Sequence, residues 1–401
     1  MELSNLITCL DFEISSICNA GCSVCPRGSI GFYQPFTQTY WRIEEVKAHI
    51  DLEIIQNLKN LILCGNFGDP MGNPDIVKIV RYFKEINPSI NVNISTNGSI
   101  GNSADYAELA ELGVGMRVGL DGVGEFNELY RVNTKWDKIL ENLNSFASKS
   151  PKQHQLEIQF LMWAETTNQI IPMIDFIKSI GFGRLSLRKP ITIGIKTEVF
   201  DIHGASTHFL TEIKNIKLKK YLDTNWKFNE LDKLKLELSK IDSIESSLEM
   251  GNFLIKKTKN QWPKNDYKKS DVIFKEEDII KFNSTTNQTC FSKNRRNPYN
   301  LSDNDFNIFI THDKLLMPCC MIPPQISTSI HHHTGQESPI QKEVLNKMLE
   351  IGFEKFSLKN TTLKNIFNSG VLHEFVYNDL VNETPLKICK TICGKCEPKL
   401  I

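Results

Sequence analysis

Between about residues 8 and 195, short apolar runs of strand length alternate with longer segments of helical pattern. The strand-like runs are CLDFEIS, KNLILCG, INVNIST, GMRVGLD, LEIQFLM and RLSLRKP. Helical periodicity lies between them, around 41–57, 74–86, 103–112, 135–148 and 169–179. Strand followed by helix, repeated, predicts a parallel sheet with helices outside it, either open or closed into a barrel. Each strand is followed by a turn rich in Gly, Asn, Asp or Pro. Candidate site residues therefore gather at the C-terminal ends of the strands, where both parallel architectures bind ligands.

The pattern changes near residue 200. The stretch to about 285 is rich in Lys, Asn and Asp, with helical patches such as ELDKLKLELSKI, and reads as an insertion, connector or lid. From Cys290 onward a smaller cysteine-bearing region has short strands and a helix near LKNIFNSGVLHEF. A chain of 401 residues is long for one core. The expected division is 1–200, 201–289 and 290–401, with no repeat of solenoid length.

Charge narrows the partners. Lys+Arg and Asp+Glu are equal at 47 each, so no global field attracts nucleic acid or an acidic membrane. The start, MELSNLITCLDFEI, lacks the basic n-region of a signal peptide, and no stretch has the length of a charge-free membrane span. A cytoplasmic protein is expected, without nucleic acid or membrane as partner.

Of the eleven cysteines, three fall at 18, 22 and 25 and six at 290, 319, 320, 389, 393 and 396. Clustered thiols in a large intracellular chain point to metal or catalysis rather than a disulfide framework. Cys9 and Cys64 lie within strands and read as buried small hydrophobes. Cys18, Cys22 and Cys25 follow the first strand in a loop containing Gly21 and closed by Pro26. At that spacing three thiolates can converge, which suits iron–sulfur or zinc. Zinc needs a fourth ligand, and no His or Cys lies close downstream; three unliganded core thiols are the bland alternative.

Cys-x3-Cys-x2-Cys after the first strand of a βα series resembles the radical S-adenosylmethionine (radical SAM) superfamily. The resemblance implies a partial (β/α)6 barrel and a 4Fe-4S cluster on Cys18, Cys22 and Cys25 with one iron left open. S-adenosylmethionine chelates that iron, and the reduced cluster cleaves its sulfonium bond to give a hydrogen-abstracting radical. An external electron donor such as flavodoxin or ferredoxin is implied as well. GNFGDPMGNPD (65–75) resembles the family's Gly-Gly-Glu-Pro segment, which assigns Gly68 and Asp69 to the methionine ammonium. Here Phe67 replaces the first Gly and Asp69 the Glu; an ordinary Gly-Asp-Pro turn is the alternative. NISTNGS (93–99) is similar to the family's Ser/Thr-Asn-Gly segment and assigns Ser95 and Asn97 to the ribose. VGLDGVGEFNELYRVN (118–133) resembles the family's Ser-Leu-Asp-Gly strand and a following Arg. Arg131 is then the candidate for the methionine carboxylate, with a surface ion pair as its alternative. Gly119 stands where the family has Ser.

FNIFITHDKLLMPCC resembles the strand-turn-strand of SPASM or twitch extensions, an α+β cysteine-rich auxiliary-cluster domain. Their Asp-Gly turn reads His312-Asp313-Lys314 here. Six tail cysteines are too few for two fully Cys-ligated 4Fe-4S clusters. One auxiliary 4Fe-4S cluster is expected, on Cys290, on Cys319 or Cys320, and on two of Cys389, Cys393 and Cys396; zinc competes for the same thiolates. Cys320 is also a candidate catalytic hydrogen donor. The run His331–His333 sits in a polar loop and does not read as a metal site.

The expected function is hydrogen abstraction from substrate, ending in oxidation, epimerisation or bond formation. Relatives with such tails modify peptides, sugars or aminoglycosides. Seventeen residues precede Cys18, too few for an N-terminal peptide-recognition domain, which favours a small, carbohydrate-like substrate over a peptide. A non-catalytic iron–sulfur or zinc carrier is the contrasting class, but it needs none of the adenosylmethionine-facing segments.

Overall fold

The computed structural model describes residues 7–22, 25, 38–65, 67–128, 131–150, 156–161, 169–180, 184–188, 245–250, 253–256, 306–319, 322, 339–377 and 386–387. Six strands pair in parallel in chain order: β1 (Ile7–Phe12), β2 (Asn60–Leu63), β3 (Asn91–Thr96), β4 (Gly115–Gly119), β5 (Leu156–Leu161) and β6 (Arg184–Arg188). The connections carry α1 (Ile43–His49) and α2 (Leu52–Asn57), then α3 (Ile76–Ile86), α4 (Ser103–Glu111), the short α5 (Glu125–Glu128) with α6 (Trp136–Lys149), and α7 (Ile170–Ser179). The six strand runs and the helical stretches between them are thus where the hydrophobic pattern puts them. One helical stretch, 41–57, divides, because Ile50 and Asp51 are extended. Asp51 there accepts the Lys364 N–H at 2.8 Å.

Alternation sets the two faces of the sheet. Leu10, Phe12, Leu61, Leu63, Val92, Ile94, Met116, Val118, Ile158 and Phe160 join one apolar core cluster with the helices. In α3, Ile76, Ile79, Val80 and Phe83 are buried at spacings of three and four, one stripe of a helix. The intervening strand positions are largely polar: Asp11, Glu13, Asn93, Ser95, Arg117, Glu157 and Gln159. A face lined this way must be offset by internal pairing or by a polar occupant.

The sheet does not close. Its order is β10-β9-β1-β2-β3-β4-β5-β6-β7-β8, an open partial (β/α)6 barrel extended at both edges. Two strands of the segment expected to be helical, β7 (Glu245–Met250) and β8 (Phe253–Lys256), extend it beyond β6, the first parallel and the second antiparallel. The helical patch ELDKLKLELSKI lies outside the described residues, as does the boundary expected near 290. On the other edge β9 (Phe306–Ile310) runs parallel to β1, and β10 (Leu316–Met317) returns antiparallel to β9. The tail therefore contributes a strand to the core sheet itself. Beyond it lie α8 (Pro339–Ile351), which the sequence pattern leaves unmarked, and α9 (Leu363–Asn368) in the helix expected there. Among the described residues no helix is long and apolar enough to cross a membrane.

Asp11, on β1, shows what the polar face costs. Its Oδ2 accepts from Asn307 Nδ2 at 3.2 Å, whereas its buried Oδ1 has no hydrogen-bond partner among the described residues. Burial raises its carboxyl to about 6, against the Asn307 hydrogen bond and the Arg117 charge. The folded acid binds its proton more tightly than the unfolded one. This stabilising contribution is therefore complete below about pH 4 and is lost as pH rises through about 6. Asp11→Asn, which mimics the protonated acid, is expected to match the parent protein near pH 4. Near pH 8 it should exceed it by about 2 kcal/mol in urea unfolding. Equal stability of the two at pH 8 would contradict this.

Candidate functional site

Four loops at the C-terminal ends of β1, β2, β3 and β4 meet. The loop after β1 is clamped at its base: Ser15 bridges Tyr40, the Ser16 N–H donates to the Thr39 carbonyl at 2.9 Å, and the Thr39 N–H donates to Ser16 Oγ at 2.8 Å. Inside this clamp lie Cys18, Cys22 and Cys25, all half-buried. The Cys25 N–H donates to the Cys22 carbonyl at 3.2 Å, which ties the second and third cysteines together through the backbone. Burial pushes the Cys22 thiol strongly up; Arg131 opposes this, and the thiols of Cys25 and Cys18 and the Asp121 carboxyl reinforce it. Among the described residues no three His, Cys, Asp or Glu side chains are gathered as tightly as ligands of one metal ion.

The turn after β2 is pressed against this loop. A Cβ on Gly68 would lie 2.1 Å from the Ser15 carbonyl oxygen, so only glycine admits this approach. The Asp69 N–H donates to the Ile17 carbonyl at 2.8 Å. Its side chain is buried and serves as a brace. Oδ1 accepts the Met71 N–H at 3.0 Å, and Oδ2 accepts Thr96 Oγ1 at 3.0 Å and the Asn97 N–H at 2.7 Å. Burial raises this carboxyl to about 6; the three hydrogen bonds and Arg131 hold it back. Both oxygens are thus engaged by the protein, so Asp69 first of all joins the ends of β2 and β3.

Asn97 carries the connection onward. Its Nδ2 lies 3.5 Å from Cys18 Sγ and donates to Asn19 Oδ1 at 2.9 Å, while its Oδ1 accepts the Ser99 N–H at 2.7 Å. Asn19 Nδ2 reaches Ser99 Oγ at 3.3 Å, and Ser99 Oγ accepts the Lys135 N–H at 2.8 Å. Gly98 follows at φ +79°, the left-handed conformation that an Asn-Gly turn needs. Ser95 is half-buried one pair before the strand end, in register with Arg117.

Arg131 comes from the loop after β4. Its Nε stands 2.8 Å from Asp121 Oδ2, and its guanidinium lies over Gly119, where a Cβ would meet Nη2 at 2.6 Å. The glycine that replaces the family's serine therefore makes room for the arginine. The surface ion pair considered for Arg131 is instead a buried one, with Asp121 fully inaccessible. Burial raises the Asp121 carboxyl, and Arg131 and the Leu161 N–H, at 2.7 Å, oppose the rise. Asn127, also fully buried, accepts the Asp121 N–H at 3.0 Å and donates to Thr134 Oγ1 at 3.2 Å, while its carbonyl takes the Arg131 N–H at 3.1 Å. The Gly21 N–H meets the Val132 carbonyl at 2.8 Å, which closes the ring of loops back onto the cysteines.

The structure thus brings together Cys18, Cys22, Cys25, Gly68, Asp69, Asn97 and Arg131, which the sequence motifs nominate. Asn19, Asp121 and Asn127, which those motifs do not nominate, hold them. Asp121 is the Asp of the Leu-Asp-Gly segment and Asn127 lies six residues on in a polar stretch; what marks both is their complete burial, which the sequence does not show. In the tail Cys319 is half-buried against the apolar cluster. Cys290, Cys320, Cys389, Cys393, Cys396 and His331–His333 lie outside the described residues. Cys9 is fully buried, as its strand position implies, whereas Cys64, just past β2, is only half-buried.

Residues 12–177 match the family model of the radical SAM superfamily. No curated protein matches the sequence. Among solved structures, native anSMEcpe with bound AdoMet is similar at a TM-score of 0.51 and 14% identity, covering 98% of this chain and 92% of its own. Streptococcus suis SuiB bound to S-adenosylmethionine is similar at 0.46 and 12%, covering 96% and 78%. Methylornithine synthase is similar at 0.34 and 14%, covering 53% and 63%. Radical SAM domains use a 4Fe-4S cluster and S-adenosylmethionine, and the donor set here fits: three neighbouring thiols in one loop, with a buried cation and polar strand ends beside them. Residues 12–177 of this chain are a radical SAM domain.

Proposed function

We propose that the protein is a radical SAM enzyme that cleaves S-adenosylmethionine reductively and removes a hydrogen atom from a hydrophilic small-molecule substrate. The observation that carries the reading is the convergence of the loops after β1 to β4 on the cysteine loop: Asp69 N–H on the Ile17 carbonyl, Asn97 Nδ2 3.5 Å from Cys18 Sγ, and the Gly21 N–H on the Val132 carbonyl one residue beyond Arg131. When bound, a cluster on Cys18, Cys22 and Cys25 supplies the electron for cleaving the sulfonium bond. The chain's own residues position the cosubstrate. Arg131 meets the methionine carboxylate, the Gly68–Asp69 turn offers backbone and acid to the ammonium, and Ser95 and Asn97 face the ribose. Asn97 also sets the distance between the ribose side and Cys18 through the 3.5 Å contact.

The polar inner positions Asp11, Asn93, Arg117, Glu157 and Gln159 support a hydrophilic substrate. Buried Asp11 Oδ1 and Asn93 Nδ2 have no hydrogen-bond partner among the described residues, and Arg117 Nε lies 3.5 Å from Glu157 Oε2. An apolar substrate would leave such groups uncompensated. The tail thiols belong to the same reading as ligands of one auxiliary cluster. An iron count near eight rather than four per chain, about two clusters' worth, tests it. The deciding experiment is anaerobic reconstitution, chemical reduction and an assay for 5′-deoxyadenosine. Release is expected; an intact reduced cluster that releases none would leave an electron carrier as the better reading.

A further inference from the structure

Glu13 stands just beyond β1 and is fully buried, and His312, in the turn between β9 and β10, is 6% exposed. A buried carboxylate needs partners on its oxygens, because water cannot supply them. Glu13 Oε1 accepts the Phe67 N–H at 2.7 Å. Its Oε2 accepts His312 Nδ1–H at 2.8 Å and the His312 backbone N–H at 3.3 Å. The imidazole also packs on the Phe67 ring, with centroids 5.4 Å apart at 60°. Phe67 opens the turn that carries Gly68 and Asp69. One carboxylate therefore spans from a tail turn to the turn assigned to the cosubstrate.

The turn that presents His312 is held from several sides. The Thr311 N–H donates to the Leu315 carbonyl at 3.0 Å, and the Leu315 N–H donates to Thr311 Oγ1 at 2.9 Å. Lys314 takes the left-handed conformation, φ +72°, that the glycine of an Asp-Gly turn would otherwise adopt. Its ammonium pairs with Glu45 on α1. Trp41 Nε1 donates to the Thr311 carbonyl at 3.1 Å. Burial pushes His312 toward the neutral form, but its hydrogen bond to Glu13 and the charges of Glu13 and Asp313 outweigh that and raise it. The contact is thus a charge-assisted one, the stronger kind of hydrogen bond.

We infer that His312 is a positioning residue of the adenosylmethionine site, holding the Phe67–Asp69 turn through Glu13, so that the core site is complete only with the tail segment 306–317. This rests on the radical SAM reading of the core. Asp69 braces the far end of the turn against β3, and Glu13 with His312 fixes the near end. Without the near-end tether, Phe67 loses the His312 ring and Glu13 Oε2 loses its side-chain donor. The Glu13 side chain, buried with Oε2 short of a donor, then holds the Phe67 N–H less firmly.

The test compares His312→Leu with His312→Asn, whose side-chain N–H falls near the position of Nδ1. Amide hydrogen exchange is read in the protein without cosubstrate, and adenosylmethionine affinity in the reconstituted protein from the cluster's electron paramagnetic resonance signal. His312→Leu is expected to speed exchange in the 65–72 peptide about tenfold or more and to weaken cosubstrate binding about tenfold. His312→Asn should return both to within about threefold of the parent protein. His312→Met takes the place of the leucine variant should the latter not fold. Unchanged exchange in the apolar variant, or an asparagine variant as labile as the leucine one, overturns the role of His312. Parent protein that binds no adenosylmethionine overturns the functional reading instead.

Discussion

Cys22→Ala is expected to lower iron incorporation at the first cluster to background and 5′-deoxyadenosine release by at least about a thousandfold, a barrier increase of about 4 kcal/mol. The size of the effect follows from ligand count. A cluster held by two thiolates in place of three has a second iron without a protein ligand, and no other thiol among the described residues lies in that loop to replace it. Among the described residues the other thiols are those of Cys9, Cys64 and Cys319, in β1, after β2 and after β10. Cys9→Ala is the matched control, since that thiol is fully buried in a strand. It should leave iron and product unchanged. Full iron content and turnover in Cys22→Ala would remove the loop from the chemistry altogether.

The second large effect concerns Arg131. Arg131→Met leaves the Asp121 carboxylate, fully inaccessible, with the Leu161 N–H but without its cation. Breaking a buried pair from one side costs about 3–5 kcal/mol. Urea unfolding should show a loss of that order at neutral pH. The loss should shrink toward acid pH, where the stranded carboxyl is protonated. Arg131→Met combined with Asp121→Asn removes the stranded charge and is expected to restore most of the stability, because the pair couples in a double-mutant cycle. Adenosylmethionine affinity should not return with it. If the stable double variant binds the cosubstrate like the parent, Arg131 is purely architectural and the carboxylate contact must be sought elsewhere.

The two predictions separate what a motif indicates from what its residues do in place. The motif assigns Asp69 to an ammonium, and in place its oxygens also brace Met71, Thr96 and Asn97. Gly119 stands where the family has Ser, and the space a side chain would fill there is occupied by Arg131. Glu13, in the run CLDFEIS, carries no assignment in the sequence, yet it joins β1, the β2 turn and the tail. An acid in an apolar run is a visible anomaly, but its partners lie 54 and 299 residues away. No local pattern could have named them.

Hydrophobic periodicity alone determined the order of the βα units, because a strand repeats every two residues and a helix every 3.6, and burial selects for each. The spacing of Cys18, Cys22 and Cys25 likewise sufficed to point to a three-thiolate site. Only the tertiary structure decided that β9 sits beside β1, that the sheet stays open, and that His312 and Glu13 meet. Those outcomes depend on which distant segments share buried surface. Free energy of that kind comes from contacts between segments and leaves no mark within either one.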